Sequence, residues 1–225
     1  MDFQFLSKTP LFAGIIPDEL CSLMKCLNGK EKNYPKDSRI VHIGQVIDSL
    51  GLVISGRVSI ESDDLWGNRT MLDVVEPGQI FGETYACAGN VPLMVNVVAL
   101  EDTTVLFLQT GSIIGRCGEA CTYHGTLIRN LLTITAQKNL GLSRRIFHTA
   151  HKTIRGRLLS YLSVQAQRNG AMRFKIPFNR QQLADYLSVD RSALSHEISK
   201  MQQEGILISQ KNNFTMLEGA LADYT

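Results

Sequence analysis

The sequence predicts an α+β chain in three parts. A jelly-roll-like, β-rich half (a double-stranded β-helix) comes first, then a long helix, then a winged helix-turn-helix. Three observations predict it. Short apolar runs alternate with turns from Asn33 to Leu108; apolar residues step by four and three from His124 to Phe147; and two short helical patterns meet at Ser188-Val189-Asp190 ahead of a hairpin. At 225 residues and 44% hydrophobic content the chain can build two domains with separate cores. The predicted boundaries are 1–123 for the roll, 124–147 for the helix and 148–225 for the winged domain.

Pro17 stands in the first turn of a short helix running to about Leu27, with Asp18 and Glu19 beside it, where proline and acidic residues are favoured. The strands that follow include Ile40-Val41, Leu50–Ile54, Val58–Ile60, Met71–Val75, Val95–Leu100 and Val105–Leu108. Turns separate them at Gly44, Gly56, Asp63-Asp64, Gly67-Asn68, Pro77-Gly78 and Gly89-Asn90, a spacing that predicts an antiparallel sandwich or barrel. In the long helix Ile128, Leu132, Thr135, Asn139, Leu142 and Ile146 form a coiled-coil seam. The alternative is a helix lying on its own barrel. A hinge at His148–Thr153 leads to an amphipathic helix from Ile154, ended by Gly170, and a short strand within Phe174–Phe178.

The C-terminal motif carries the chemistry. Asn179 with Gln182 forms a capping-box pair, and Leu183 and Leu187 share one face of the first helix. Asp190 caps the second helix, whose Leu194, Ile198 and Met201 point inward. Arg191, Ser192, Ser195 and His196 lie off that stripe, near the end that meets base edges in a major groove, and all can donate hydrogen bonds. Arg180 and Gln181 join them at the first helix. The hairpin around Lys211-Asn212-Asn213 is a wing whose tip lysine suits phosphate. An ordinary helical hairpin with a solvated outer face is the plainer alternative. Charge favours nucleic acid: residues 1–143 hold 11 basic against 15 acidic side chains, a net of −4, while 144–225 hold 12 against 6, a net of +6. The N-terminal residues lack a secretory pattern, no apolar run approaches the ~20 residues that cross a bilayer, and five unframed cysteines suit a reducing cytoplasm.

In this order the motifs resemble the Crp/Fnr family of bacterial transcription regulators over nearly the whole chain. The carrying residues are Pro10-Leu-Phe, Gly44, Gly56-Arg-Val, Pro77-Gly-Gln-Ile-Phe-Gly-Glu83, Gly156-Arg-Leu-Leu and Asp190-Arg-Ser-Ala-Leu-Ser195. The resemblance implies a cytoplasmic homodimer, palindromic operator DNA, RNA polymerase as a partner, and an unidentified small-molecule effector sensed in the roll; no membrane is involved. It also implies that Arg191 contacts guanine, whereas His196 stands where relatives usually carry Arg.

Two departures bear on the effector. Cyclic-nucleotide readers of the family grip the phosphate with an Arg-Ser pair, which falls here on Leu93-Met94, and Leu142 stands where they carry a Thr that reaches the base. A buried phosphate without cation or hydroxyl is poorly solvated, so cyclic AMP is not expected. The resemblance places the effector pocket beside Phe81, Gly82 and Glu83 and the loop bearing Thr84, Tyr85, Cys87, Asn90, Leu93 and Met94, a lining that suits a mostly apolar ligand. Glu83 then serves as a structural acceptor for backbone amides. The clustered cysteines of the family's oxygen sensors are missing as well: Cys21 and Cys26 lie within one helix, and the roll position is Leu106. The alternative sensor uses Cys117, Cys121 and His124, which share a helix face, or Cys87 as a redox switch. No cofactor is named by the sequence. A β-roll metalloenzyme is the remote reading, because His42 is the one histidine between residues 1 and 123; the chain is read as a non-enzyme.

Overall fold

The computed structural model describes residues 1–63, 69–115 and 123–217. The chain divides into two compact units, Met1–Gln137 and Lys138–Thr225. The expected turn residues Asp64 and Gly67-Asn68 lie outside the described residues.

The first unit opens with α1 (Phe3–Leu6) and α2 (Pro17–Cys26), the latter beginning on its proline as expected. Eight strands follow: β1 (Lys30–Tyr34), β2 (Arg39–Val41), β3 (Ser49–Ser55), β4 (Val58–Asp63), β5 (Arg69–Val75), β6 (Ile80–Phe81), β7 (Asn96–Ala99) and β8 (Thr103–Gln109). Short helices α3 (Glu83–Ala88) and α4 (Thr110–Ile114) interrupt and close the series. The strands make two four-stranded antiparallel sheets, ordered β1-β8-β3-β6 and β2-β7-β4-β5. Because successive residues alternate across a strand, β3 and β8 of the first sheet present apolar side chains to both faces. Leu50, Leu52, Leu106 and Leu108 pack with Leu6, Leu20 and Leu23 in one core. Val53, Phe81 and Val105 pack with Val58, Val75 and Val97 in the other, inside the roll. Gly51 lets these layers close: a Cβ there would sit 2.3 Å from the Phe81 ring.

Helix α5 (His124–Thr149) spans the division between the units. In its first turns Leu127 and Leu131 are buried in the leucine core, and Asn130 donates to the carbonyls of Leu11 and Ala13 at 2.9 and 2.8 Å. The first turns of the helix therefore lie on the roll, and the seam residue Ile128 packs against the same core. Leu132, Leu142 and Ile146 of the seam are 65, 62 and 68% exposed.

The second unit adds α6 (Ile154–Asn169), β9 (Arg173–Lys175), α7 (Arg180–Leu187), α8 (Arg191–Gln203), β10 (Leu207–Gln210) and β11 (Asn213–Met216). The three strands form one antiparallel sheet ordered β10-β11-β9. Thr153 caps α6 through the Gly156 N–H, and Gly170 ends it in the left-handed region at φ 60°, where glycine carries no Cβ penalty. Leu158, Leu162, Leu183, Leu194, Ile198 and Phe214 share the core. The break before α6 is shorter than the sequence suggests. Helix α5 continues through Thr149, because His148 is buried against the Tyr161 ring at 5.6 Å and places Nδ1 2.9 Å from Ser160 Oγ.

Candidate nucleic-acid interface and effector site

Local bonds fix both helices of the candidate interface. The capping box at α7 is complete: Asn179 Oδ1 accepts from the Gln182 N–H at 2.9 Å, and Gln182 Oε1 accepts from the Asn179 N–H at 2.8 Å. Asp190 Oδ1 accepts from the N–H groups of Ser192 and Ala193 at 2.7 and 3.0 Å. Those bonds, with the Ser192 hydroxyl as a third donor, hold the Asp190 carboxyl below the usual carboxylate range. Ser188 bridges the two helices in the left-handed region at φ 53°.

At the far end of α7 two arginines meet its terminal carbonyls. Arg145 of α5 donates from Nε to Tyr186 O at 3.1 Å and from Nη2 to Asp185 O at 2.9 Å. Arg157 of α6 donates from Nη1 to Leu187 O and Ser188 O at 3.1 and 2.9 Å. The two cations thus bond four carbonyls at this helix end, of which Asp185 O also accepts from the Ser188 N–H, and they complement the helix dipole. Arg155 of α6 holds α8 in the same way, pairing with Glu197 and Glu204 at 2.7 Å each.

With Leu194, Ile198 and Met201 buried, α8 leaves Arg191, Ser192 and His196 exposed and Ser195 half-buried. The candidates are not equally available. Ser192 spends its hydroxyl proton on Asp190, which leaves it an acceptor. Gln181 is exposed and bonded to Asp185. Arg180 differs most: its guanidinium lies 5.7 Å over the Phe214 ring and donates to Ser209 Oγ at 3.1 Å, bracing α7 against the wing. Burial there pushes its pKa down. Lys211 is exposed at the tip of the β10–β11 turn, itself left-handed at φ 54°. The sequence reading missed Arg145, Arg155 and Arg157; bonds to carbonyls and a carboxylate 30 to 42 positions away leave no local pattern.

The predicted effector lining is divided by the fold. Phe81, Glu83 and Leu93 are buried, Gly82 and Tyr85 half-buried, and Thr84, Cys87, Asn90 and Met94 exposed, Met94 at 73%. Leu142 belongs to the second unit, where it is exposed. Burial and the nearby Glu83 push the Cys87 thiol up, away from the reactive thiolate. A cavity of about 390 Å³ touches the loop at Ala86, Gly89 and Asn90 and is closed by Val46, Ile47 and Asp48. A second cavity, about 320 Å³, shares those three residues and takes Phe81 alone from the predicted lining. Lys30, Lys32, Tyr34 and Phe107 also line it, and none of these was read from the sequence as a site. Cys117 and Cys121 lie outside the described residues. Their supposed companion His124 is buried with Nε2 3.2 Å from Ser112 O and 3.8 Å from Cys26 Sγ, while its Nδ1 has no partner. Among the described residues no three His, Cys, Asp or Glu side chains form a metal-ready group.

Residues 31–117 match the cyclic nucleotide-binding domain family, and residues 156–220 match the Crp-like helix-turn-helix domain family. The chain belongs to the Crp/Fnr family of transcription regulators. This Crp/Fnr protein is 25% identical over 215 residues to the cyclic AMP receptor protein of Thermus thermophilus, covering 96% of this chain and 95% of that one. It is 20% identical to the transcriptional activator FnrL of Cereibacter sphaeroides, over 78% of this chain and 71% of the relative. CprK solved in complex with OCPA superposes with a TM-score of 0.63 at 14% identity, covering 88% of this chain and 91% of CprK, which shows the shared fold. Among the described residues no helix is long and apolar enough to cross a membrane.

Proposed function

We propose that this Crp/Fnr protein binds palindromic operator DNA as a homodimer, in response to an effector other than cyclic AMP. One observation carries the reading of DNA: α8, whose N-terminus Asp190 caps, buries Leu194, Ile198 and Met201 while Arg191 and His196 stand exposed. Arg191, Ser192, Ser195 and His196 serve as base-facing residues, and Gln181 and Lys211 approach phosphate. Arg180 acts as a brace for the wing.

Dimerisation is assigned to α5. Three large apolar side chains repeating at coiled-coil spacing, each more than 60% exposed, need a covering surface. A two-fold dimer supplies one and sets two recognition helices about 34 Å apart. Thr135, a polar seam position, donates its hydroxyl to Leu131 O at 2.9 Å, which lowers the cost of polarity there. Leu132→Glu with Leu142→Glu is expected to give monomers with a folded roll and no specific DNA binding. A sedimenting dimer in that double variant places the interface elsewhere.

The insensitivity to cyclic AMP rests on Leu93, buried in the valine core, and Met94, exposed, at the positions of the phosphate-gripping pair. Localisation in the cytoplasm and a role for RNA polymerase follow from the family. A second reading, a thiol or metal sensor of the same fold, has Cys26 and His124 behind it, with the orphaned Nδ1 in place of the expected partnership with Cys117 and Cys121. An absorption spectrum of protein purified without oxygen, compared with that of His124→Leu, decides between the two.

A further inference from the structure

Residues Lys30, Lys32 and Tyr34 alternate along β1 and so share one face of the sheet. Across the ladder, Lys30 is paired with Phe107 of β8, whose other neighbour is Gly51. The missing side chain at Gly51 is replaced by the Phe81 ring, edge-on to Phe107 at 6.4 Å and 88°. Tyr34 approaches Phe107 from another side at 6.3 Å and 70°. These rings, with Ile40 and Ile47, form the apolar wall of the 320 Å³ cavity. Its rim is cationic. The Lys32 ammonium lies 5.7 Å from the Phe107 centroid, and neither lysine has a carboxylate partner among the described residues. Glu31, between them, points to the opposite face and pairs with the N-terminal amine at 3.9 Å. The lining holds one carboxylate, Asp48, whose Oδ1 accepts from the Ser49 hydroxyl at 2.7 Å.

Two ammonium groups without a carboxylate partner among the described residues, beside three rings, suit a specific ligand chemistry. We propose that this cavity binds a small organic anion with a flat aromatic body, its acid group held by Lys30 and Lys32 and its ring lying on Phe107. The volume stands at the low end for ligand pockets, which fits a body of one or two fused rings. None of Glu83, Thr84, Cys87 or Met94 lines it, so it is a different site from the one the family resemblance indicates. Val46, Ile47 and Asp48 line both cavities. Phenolic burial keeps Tyr34 in its neutral form, available as a hydrogen-bond donor beside the acid group. The inference deepens the effector-responsive reading and rests on it for regulation, though not for binding.

The probe pair is 1-anilinonaphthalene-8-sulfonate and N-phenyl-1-naphthylamine, which share their rings and differ by the sulfonate. Both are titrated by fluorescence into the full chain, Lys30→Gln/Lys32→Gln, Phe107→Leu, and a control with the same charge change, Lys8→Gln/Lys36→Gln. Removing the β1 charges is expected to weaken the sulfonate by about tenfold or more, the scale of a charge-assisted bond, and to leave the neutral probe within about twofold. Phe107→Leu weakens both. An equal loss in the control, no loss at all, or a parallel loss of the neutral probe overturns the proposal. Affinity for a DNA site selected from random sequence is measured separately on the same proteins. A wild type that selects no site sinks the regulator reading and leaves the anion site standing.

Discussion

Helices α7 and α8 begin alike, each with a side-chain cap followed at once by an arginine, yet the two arginines have opposite surroundings. Arg191 is exposed ahead of the recognition face, whereas Arg180 lies over a ring and is bonded to the wing. The caps are set by residues three positions away, but the freedom of a cation depends on what a distant strand brings to it. For Arg180 that is Phe214 and Ser209, from the hairpin after α8. The motif's position therefore nominates a DNA contact, and the packing around it decides whether the charge is available.

The contrast is sharpest in DNA binding. Arg191→Ala is expected to cost about 1–3 kcal/mol on the selected site and to relax preference at one base pair, with the melting temperature unchanged. Arg180→Ala is expected to lower the melting temperature and to weaken specific and random DNA equally. If fluorescence anisotropy shows both variants losing discrimination alike, Arg180 swings out of its brace on DNA and the contrast fails. Next in size is the cap at α7: Asn179→Ala removes one bond of the reciprocal pair and should cost about 1 kcal/mol of stability by denaturant titration. An unchanged midpoint would mean that the two arginines at the other end of α7 hold it alone.

The pH response of the second unit is gentler. Burial, then His151 and Arg168, push the His148 pKa down, so the folded state favours neutral imidazole. The depression contributes full stability above the ordinary value near ~6.5 and loses it as pH falls below that toward the lowered folded value. Glu204 is also depressed, by its bond to Arg155, and its contribution disappears at more acidic pH, as the carboxyl protonates. Melting temperature against pH should fall below about 6.5 in wild type and fall less in His148→Phe. Identical profiles would assign the slope to another histidine. The smallest expected effect is none at all: millimolar cyclic AMP or cyclic GMP should change neither melting temperature nor operator affinity, and calorimetry giving a micromolar constant would refute the assignment at Leu93 and Met94.

The second unit was the more legible in sequence because its determinants are local. Asn179 with Gln182, Asp190 with Ala193, and the step from Leu194 to Ile198 each lie within one helical turn. The roll's strands could be read from turns and apolar runs, but its cavities could not. The 320 Å³ site combines β1, the residues before β3, and β8, joining Lys30 to Phe107 across 77 positions of chain. Its one local trace is the alternation Lys30-Glu31-Lys32, which by itself describes any solvated strand. Leu142 was placed in the pocket by resemblance, and no spacing argument could have tested that.

The arginines that fill the end of α7 also determine where this chain can be cut. Arg145 precedes the break at Ala150, so a fragment starting at the break would strip the Tyr186 carbonyl of its donor and leave that of Asp185 with the Ser188 N–H alone. The two-helix reader is therefore not a cassette that begins where the long helix stops. An exchange of reading heads between relatives has to carry the last turns of α5 along with it, with a junction near Gln137 and Lys138 in place of one at the visible kink.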